Sequence, residues 1–386
     1  MAQQHLDPTD PATARPSPAP DPGRRGGTPG TPTGDALAGY LRAQATEFLR
    51  ALRLHRETGN GQNGTEDSVD AARALRHSAR RISGSLHTFR PLLDAEWSEA
   101  MRPELAWLSG TLALEHACAA RLERLLLALH RLSGSTAFPA QSAASAVGGR
   151  VTGAGRGVPP PATAAGRGPA TSPTATAERG NLTVGAAKAG ALLERQLTLA
   201  RTRAHSTALQ ALGSSRFHAV ADKVAVLASE VPLTPAAPGT DLRPLAAAAG
   251  ERLTDAVTAL PLVTAGHPYN AEALIHGLSP DPAPHPQDGP WHQVRLLLRL
   301  HRYAGEVLHA DGAPMDVRLL TAGQALNLHR DASEAAAAAA SAARTPRIAP
   351  ATAYALGVLH ADQRHEVEAA RFAFQQSWQK QAVGTP

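Results

Sequence analysis

The chain has 386 residues, of which 33 are glycine, 31 are proline and only 4% are aromatic. Its formal net charge is +5, and its single cysteine, Cys118, excludes an internal disulfide framework and a cysteine-based metal site. There is no run of about 18 apolar residues and no apolar secretory core, so we expect no membrane span and a cytoplasmic protein. Abundant Ala and Leu predict an all-α fold, since strands favour β-branched and aromatic residues.

Along the chain, low-complexity segments separate two helical regions. Residues 1–34 are rich in Pro, Gly, Asp and Thr without an apolar period, which predicts a disordered arm. Residues 35–133 show helical periodicity, and we predict four helices there, joined by short connections as in an antiparallel bundle. These are DALAGYLRAQATEFLRALRLHR, VDAARALRHSARRISGSLHTF, DAEWSEAMRPELAWLSGTLA and LEHACAARLERLLLALHRLSG. Residues 134–183 are again low in complexity and predict a disordered insertion.

Helical patterns resume at 184 and continue to about 383. The GSS at 213–215 predicts a joint between two helices, and another helix follows from about Asp241. A poorly defined stretch, HPYNAEALIHGLSPDPAPHPQDG, precedes the helix PWHQVRLLLRLHRYAGEVLH, and the two prolines of TPRIAP separate two final helices. The sequence therefore predicts two helical halves, 35–133 and 184–383.

The helix around residues 72–92 carries two stripes. Apolar residues recur at alternating steps of four and three, which is typical of a bundle seam: Leu75, Ala79, Ile82, Leu86, Phe89 and Leu93. On the other side a basic set follows the same rhythm: Arg73, Arg76, Arg80, His87 and Arg90. A solvated helix face usually mixes both signs of charge, but no acid lies between Asp70 and Asp94. The stripe is either a solvated face or a surface for an anion.

The helix at 291–309 repeats the basic rhythm, with no acid before Glu306. Its basic set is His292, Arg295, Arg299 and Arg302. Because the rest of this helix is largely apolar, we predict that it is buried, and its arginines must then pair with acids elsewhere or line a cavity. In register, Arg73, Arg76 and Arg80 of the first helix match His292, Arg295 and Arg299. Arginine suits phosphate because its planar fork donates paired hydrogen bonds and keeps its charge.

Several segments, in their order along the chain, resemble the CHAD domains, the conserved-histidine α-helical domains. ARALRHSARRISGSLHTFRPLL resembles their first signature, V-H-x-M-R-V-x-x-R-R-L-R, and WHQVRLLLRLHRYAGE resembles their second, W-H-E-V-R-K-x-x-K-R-x-R-Y-x-x-E. ALGSSRFHAVADKVAVLA is similar to the family's helix start around S-x-R-Y, and NLHRDASEA to its G-E-H-Q-D stretch. ATAYALGVLHADQRHE also resembles the family, so that the likeness covers about 35–133 and 185–383.

The resemblance implies two four-helix bundles related by pseudo-twofold symmetry around a basic pore, non-enzymatic binding of inorganic polyphosphate, and association with polyphosphate granules. The implied polyanion-binding residues are Arg73, Arg76, Arg80, Arg81, His292, Arg295, Arg299 and Arg302. The chain departs from the pattern: Arg73 replaces the signature histidine, and His77 the following valine. His116-Ala117 stands for an expected Arg-Asp pair, and Leu296 and Leu300 stand where basic residues are usual.

These departures keep other functions open. One alternative is a helical scaffold or interaction protein that has lost most polyphosphate affinity, and another is an enzyme or accessory subunit acting on phosphate polymers. We find no metal-ligand spacing, phosphate loop or nucleophile motif, so we predict no catalytic residue, metal or cofactor. Nucleic acid is a less favoured partner, since the aromatic residues are predicted to anchor the bundles rather than to stack on bases: Trp97, Trp107, Trp291, Trp378 and Tyr303.

Overall fold

A computed structural model describes residues 32–58, 65–134, 173–262, 265–267, 285–309 and 316–379. Most of the predicted arm (1–34), of the predicted insertion (134–183) and of the poorly defined stretch before the 291–309 helix lies outside these residues. The described residues form helices, turns and one isolated bridge between Leu93 and Leu233, and no strand. The all-α prediction is therefore confirmed.

Nine α-helices lie within the described ranges. They are α1 (Gly34–Thr58), α2 (Thr65–Thr88), α3 (Ala95–Ser133), α4 (Pro173–Leu212), α5 (Ser215–Ser229), α6 (Arg243–Thr258), α7 (Gly289–His309), α8 (Val317–Ala343) and α9 (Pro350–Gln379). Short 3₁₀ turns occur at Arg90–Leu92, Ala237–Gly239 and Pro286–Asp288. Helix α4 begins inside the segment 134–183, at a proline, a residue that is well tolerated in the first helical turn.

Helix α3 corrects one prediction, because two predicted helices form one helix of 39 residues. Its start is fixed by Asp94, whose side chain accepts a hydrogen bond from the Trp97 amide at 2.7 Å, and its end by Gly134, whose φ is 68°. The Ser-Gly-Thr sequence at 109–111 lies just before the predicted break, yet the helix continues through it, because an isolated glycine is tolerated inside a helix. The described part of 35–133 therefore holds three helices rather than four.

The first core combines helices from both sides of the predicted insertion. Leu41 and Phe48 of α1 pack with Ile82 of α2, Leu105 of α3 and Phe217 of α5, and all five side chains are fully buried. Since α5 lies after the insertion, this core is not built from 35–133 alone. The pseudo-twofold relation between two halves stays a prediction.

Two further cores are built largely from α4 and the helices that follow it. One joins the second half of α3 to α4, α8 and α9, where buried alanines such as Ala335, Ala339 and Ala355 bring the helix backbones close. The other joins α6, α7, α8 and the end of α9 around Trp291 and Phe374. Helix α7 contributes to this last core and to the first one, so it connects these two cores and lies against both α2 and α8. This arrangement is consistent with two bundles.

Candidate functional site

The two arginine-rich helices, α2 and α7, cross at Gly84. A Cβ at this position would lie 2.6 Å from Cδ2 of Tyr303 and 3.3 Å from Cδ2 of Leu300, so a larger residue would collide with α7. The glycine thus allows α2 and α7 to approach closely. Two arginines of each helix, at 76 and 80 in α2 and at 295 and 299 in α7, lie on the N-terminal side of this crossing, and the crossing brings them together.

Five arginines from three helices meet beside the crossing, and we call them the arginine cluster. They are Arg76 and Arg80 of α2, Arg295 and Arg299 of α7, and Arg330 of α8. All five are partly buried. The charges act across helices: Arg80 is repelled by Arg76 and Arg299, and Arg76 and Arg295 are each repelled by Arg330. The cluster is thus one electrostatic unit.

The protonated state is destabilised at four of these guanidiniums, on α2 and α7. Burial first, and then repulsion by Arg330 and Arg299, lowers the pKa of Arg295 to about 9. Burial together with repulsion by Arg76 and Arg299 lowers the pKa of Arg80 to about 10. Burial also lowers the pKa of Arg76 and of Arg299, with further lowering by Arg330. All of them remain charged at neutral pH, so the shifts reflect positive charge that a bound anion would stabilise.

Acidic partners are scarce around the cluster. Arg330 donates from Nε to Oδ1 of Asp331 at 2.9 Å. In contrast, Arg76, Arg80, Arg295 and Arg299 form no ion pair within the described ranges. This last group of four we call the unpaired arginines. Arg295 has a neutral partner instead, since its Nε donates to the side-chain oxygen of Asn327 at 2.8 Å.

His292 lies at the edge of the cluster, one helical turn before Arg295. Its ring packs edge-to-face on the buried ring of His329, with 5.5 Å between centroids, and its Nε2 lies 3.5 Å from the hydroxyl of Ser333. Burial lowers the pKa of His292, and Arg295 and Arg330 lower it further. A neutral imidazole at this place can donate a hydrogen bond, and it gains a proton more readily when an anion lies nearby.

Three of the other predicted site residues have different surroundings. Arg81 donates from Nε to Oε2 of Glu306 at 2.8 Å, and Glu306 also accepts from the Tyr40 hydroxyl at 2.8 Å. Arg73 is half-exposed and pairs with Asp70. Arg302 is partly buried, and its charge acts on Arg299. The cluster thus brings together four of the eight predicted residues, with His292 at its edge.

Sequence reasoning missed Arg330 as a site residue. It lies in NLHRDASEA, at the position of Gln in the G-E-H-Q-D pattern, and this exchange of a neutral for a charged residue is the signal that identifies it. It also missed Arg121 of α3, which donates to Glu334 of α8 at 2.5 Å beside Arg330. Both placements depend on how α3 and α8 pack, which helical periodicity does not report.

A second arginine-rich group, which we call the buried network, lies beneath the start of α7. Asp288 accepts hydrogen bonds from Arg364 and Arg371, each at 2.8 Å, and lies 3.6 Å from Nε2 of His329. Arg371 also donates to Glu368 at 2.7 Å, and all five residues are at most 5% exposed. Burial lowers the pKa of His329 to about 4 although Asp288 opposes this, so its ring is neutral and the network is balanced in charge. It fixes the start of α7 against α8 and α9.

Two absences concern only the part of the chain that the structure describes. There, no three or more His, Cys, Asp or Glu side chains are grouped so that they could hold a metal ion. No helix in those ranges is long and apolar enough to cross a membrane.

Comparison with known proteins agrees with this architecture. The sequence model of the CHAD domain matches residues 43–340. Among solved structures, PptA from Streptomyces chartreusis is 68% identical in sequence and superposes with a TM-score of 0.70, over 90% of this chain and 99% of that chain. No curated protein matches the chain. The matched residues cover most of the chain and include the helices that carry the arginine cluster, so the chain belongs to the CHAD domain family.

Proposed function

We propose that the chain binds inorganic polyphosphate, or a similar polyanion, in the groove formed by the arginine cluster. One observation carries the proposal: the unpaired arginines lie together on two crossing helices without an ion pair in the described ranges. Placing positive charges in a partly buried site is costly unless an anion compensates them. A bound phosphate chain supplies that anion.

The geometry favours a polymer over a single phosphate. The cluster draws its guanidiniums from α2, α7 and α8, so several anionic groups are needed to contact all of them. Each guanidinium can donate two parallel hydrogen bonds to phosphate oxygens, and the summed field concentrates anions in the groove. A polyphosphate chain carries such groups in series. We therefore expect affinity to increase with chain length and to fall with salt.

The test is the binding of long-chain polyphosphate at two salt concentrations. We expect Arg295→Glu combined with Arg299→Glu to weaken binding at least a hundredfold, because two attractive charges become repulsive. Arg50→Glu with Arg53→Glu is the matched control: it changes the net charge equally on the exposed face of α1, and it should retain nearly all affinity. If the two double variants bind alike, the proposed groove is wrong.

A helical scaffold that has lost most affinity remains the second candidate. Arg81 and Arg73 already have acidic partners, Leu296 is exposed and Leu300 is buried where basic residues are usual. The site is thus less positive than the family pattern implies. An absence of polyphosphate binding at low salt, with intact helical circular dichroism, would favour this candidate.

The proposed role is binding without catalysis, in the cytoplasm and on polyphosphate granules. Metal-dependent release of phosphate by the purified protein would contradict it.

Competition between polyphosphate and RNA for the protein distinguishes the two polyanions. We expect polyphosphate to displace bound RNA at a lower concentration than the RNA concentration that displaces bound polyphosphate. Co-localisation of a fluorescent fusion with granules, and its loss in the Arg295→Glu, Arg299→Glu variant, tests the location.

A further inference from the structure

From its position in the cluster, we infer that Arg330 is a further ligand-binding residue, and that Asp331 limits its availability. This inference rests on the proposed function and adds a component to the same site. It concerns the one cluster arginine that has a close acidic partner in the described ranges, and it assigns that partner a role in setting affinity.

The charge of Arg330 reaches both basic helices. It lowers the pKa of Arg76 and Arg80 on α2 and of Arg295 and Arg299 on α7, and it also lowers that of His292. Each of these groups has a different set of other charged neighbours, and Arg330 is common to all of them. Its side chain is 34% exposed. The guanidinium therefore lies where the two stripes converge and where solvent or a ligand can reach it.

Four charged side chains form a neutral group beside the unpaired arginines. Arg330 pairs with Asp331 and lies 3.9 Å from Glu334, and Glu334 in turn accepts from Arg121 at 2.5 Å. Glu334 is thus shared, whereas the carboxylate of Asp331 has Arg330 as its contact. Asp331 is the group that a ligand phosphate would replace.

The pair between Arg330 and Asp331 is well placed for exchange. Its side chains are 34% and 43% exposed, and ion pairs with this degree of exposure are weak. The two residues are also adjacent in α8, and adjacent helical residues do not face each other. A phosphate chain already held by the unpaired arginines can therefore take over the guanidinium. Arg330 then contacts the ligand, and Asp331 is released to solvent.

The experiment measures polyphosphate affinity and its salt dependence in a double-mutant cycle. We expect Arg330→Gln, which restores the residue of the family pattern, to bind about tenfold more weakly, and its log–log salt slope to be about 0.7 smaller by analogy with single-stranded nucleic acid. Arg131→Gln is the matched control. It removes one positive charge and breaks the 2.9 Å ion pair between α3 and Asp362 of α9, and it should leave the slope unchanged.

Asp331→Asn distinguishes a ligand contact from a structural role. It should tighten binding about two- to fivefold in the wild-type background, because Arg330 is freed. In the Arg330→Gln background the same change should have a smaller effect, because only the attraction between Asp331 and Arg295 is then removed. If Arg330→Gln keeps wild-type affinity and slope while Arg295→Glu with Arg299→Glu loses binding, the inference is overturned and the proposed function stands. If none of these variants changes binding, the proposed function itself fails.

Discussion

The arginine cluster and the buried network contain the same type of residue in opposite electrostatic situations. In the buried network, Arg364 and Arg371 are almost inaccessible and are matched by Asp288 and Glu368. In the cluster, the unpaired arginines are less deeply buried, yet they have no matching acid in the described ranges. Burial alone therefore does not distinguish a structural arginine from a binding one. The position of the acidic side chains does. We therefore expect removal of a charge to lower the free energy of unfolding in the buried network, and to leave it equal or raise it in the cluster.

The largest expected effect is on the buried network. Asp288→Asn removes the anion that Arg364 and Arg371 share, and it leaves buried positive charge uncompensated. We expect the free energy of unfolding to fall by about 3–5 kcal/mol. Chemical denaturation followed by circular dichroism measures it. Glu47→Gln, which breaks an exposed pair with Arg50, is the control and should cost less than about 1 kcal/mol. If both variants lose a similar free energy of unfolding, the buried network contributes no more to stability than an exposed ion pair does.

The next effect is the pH dependence of stability. Because burial lowers the pKa of His329 from 6.5 to about 4, the unfolded chain takes up a proton between these values before the folded chain does. The contribution of the neutral ring is therefore fully present above pH 6.5 and is lost as the pH falls towards 4, by about 3 kcal/mol in total. Urea unfolding at pH 7.5, 5.5 and 4.5 measures this loss.

His329→Gln is the variant for this pH series, since it cannot take up the proton. We expect a smaller loss of stability between pH 6.5 and 4, although it has a lower starting stability because His329 packs on Trp291. An unchanged pH profile would show that another group is responsible. The pKa of Asp288 is also lowered: burial raises it, but the neighbouring His329 and Arg364 outweigh this. The stability that ionised Asp288 contributes is lost only at a pH below the range in which His329 gains its proton.

Helical periodicity predicted the core of the site because the relevant residues repeat along single helices. Arg76 and Arg80 are four residues apart, as are Arg295 and Arg299, so each pair lies on one face whatever the tertiary structure. The break between α1 and α2 and the separation of α8 from α9 also follow from local signals, Gly and Pro. These features need no knowledge of distant contacts.

The remaining features depend on contacts between residues far apart in sequence. Arg81 follows Arg80 directly, yet it meets Glu306, which lies 225 residues away, and no local pattern separates the two arginines. Arg330 joins the cluster only because α8 packs on α7. Likewise, α5 enters the first core from beyond the predicted insertion. In each case tertiary packing decides which partner a side chain meets.

A smaller effect concerns the crossing that aligns the two stripes. Gly84→Ala places a Cβ 2.6 Å from the Tyr303 ring, and we expect a loss of about 1–2 kcal/mol after the better helix propensity of alanine is included. Gly39→Ala is the control. Gly39 is exposed in α1 with nothing near the added methyl, so that variant should be stabilised by up to about 1 kcal/mol. Thermal denaturation measures both. If both variants change in stability by the same amount, the close approach of α2 and α7 does not depend on Gly84.

The smallest effect on stability best distinguishes the arginines of the cluster from those of the buried network. Arg80→Gln removes a charge that burial and two neighbouring arginines disfavour, so the free energy of unfolding should stay equal or rise by up to about 1 kcal/mol. The same variant should bind polyphosphate about tenfold more weakly. Arg364→Gln should lower the free energy of unfolding, because it leaves Asp288 with one cation fewer. It should keep polyphosphate affinity, because Arg364 lies outside the groove. Stability and affinity measured on both variants therefore separate the two kinds of arginine. If Arg80→Gln destabilises the fold as much as Arg364→Gln, the cluster arginines are structural.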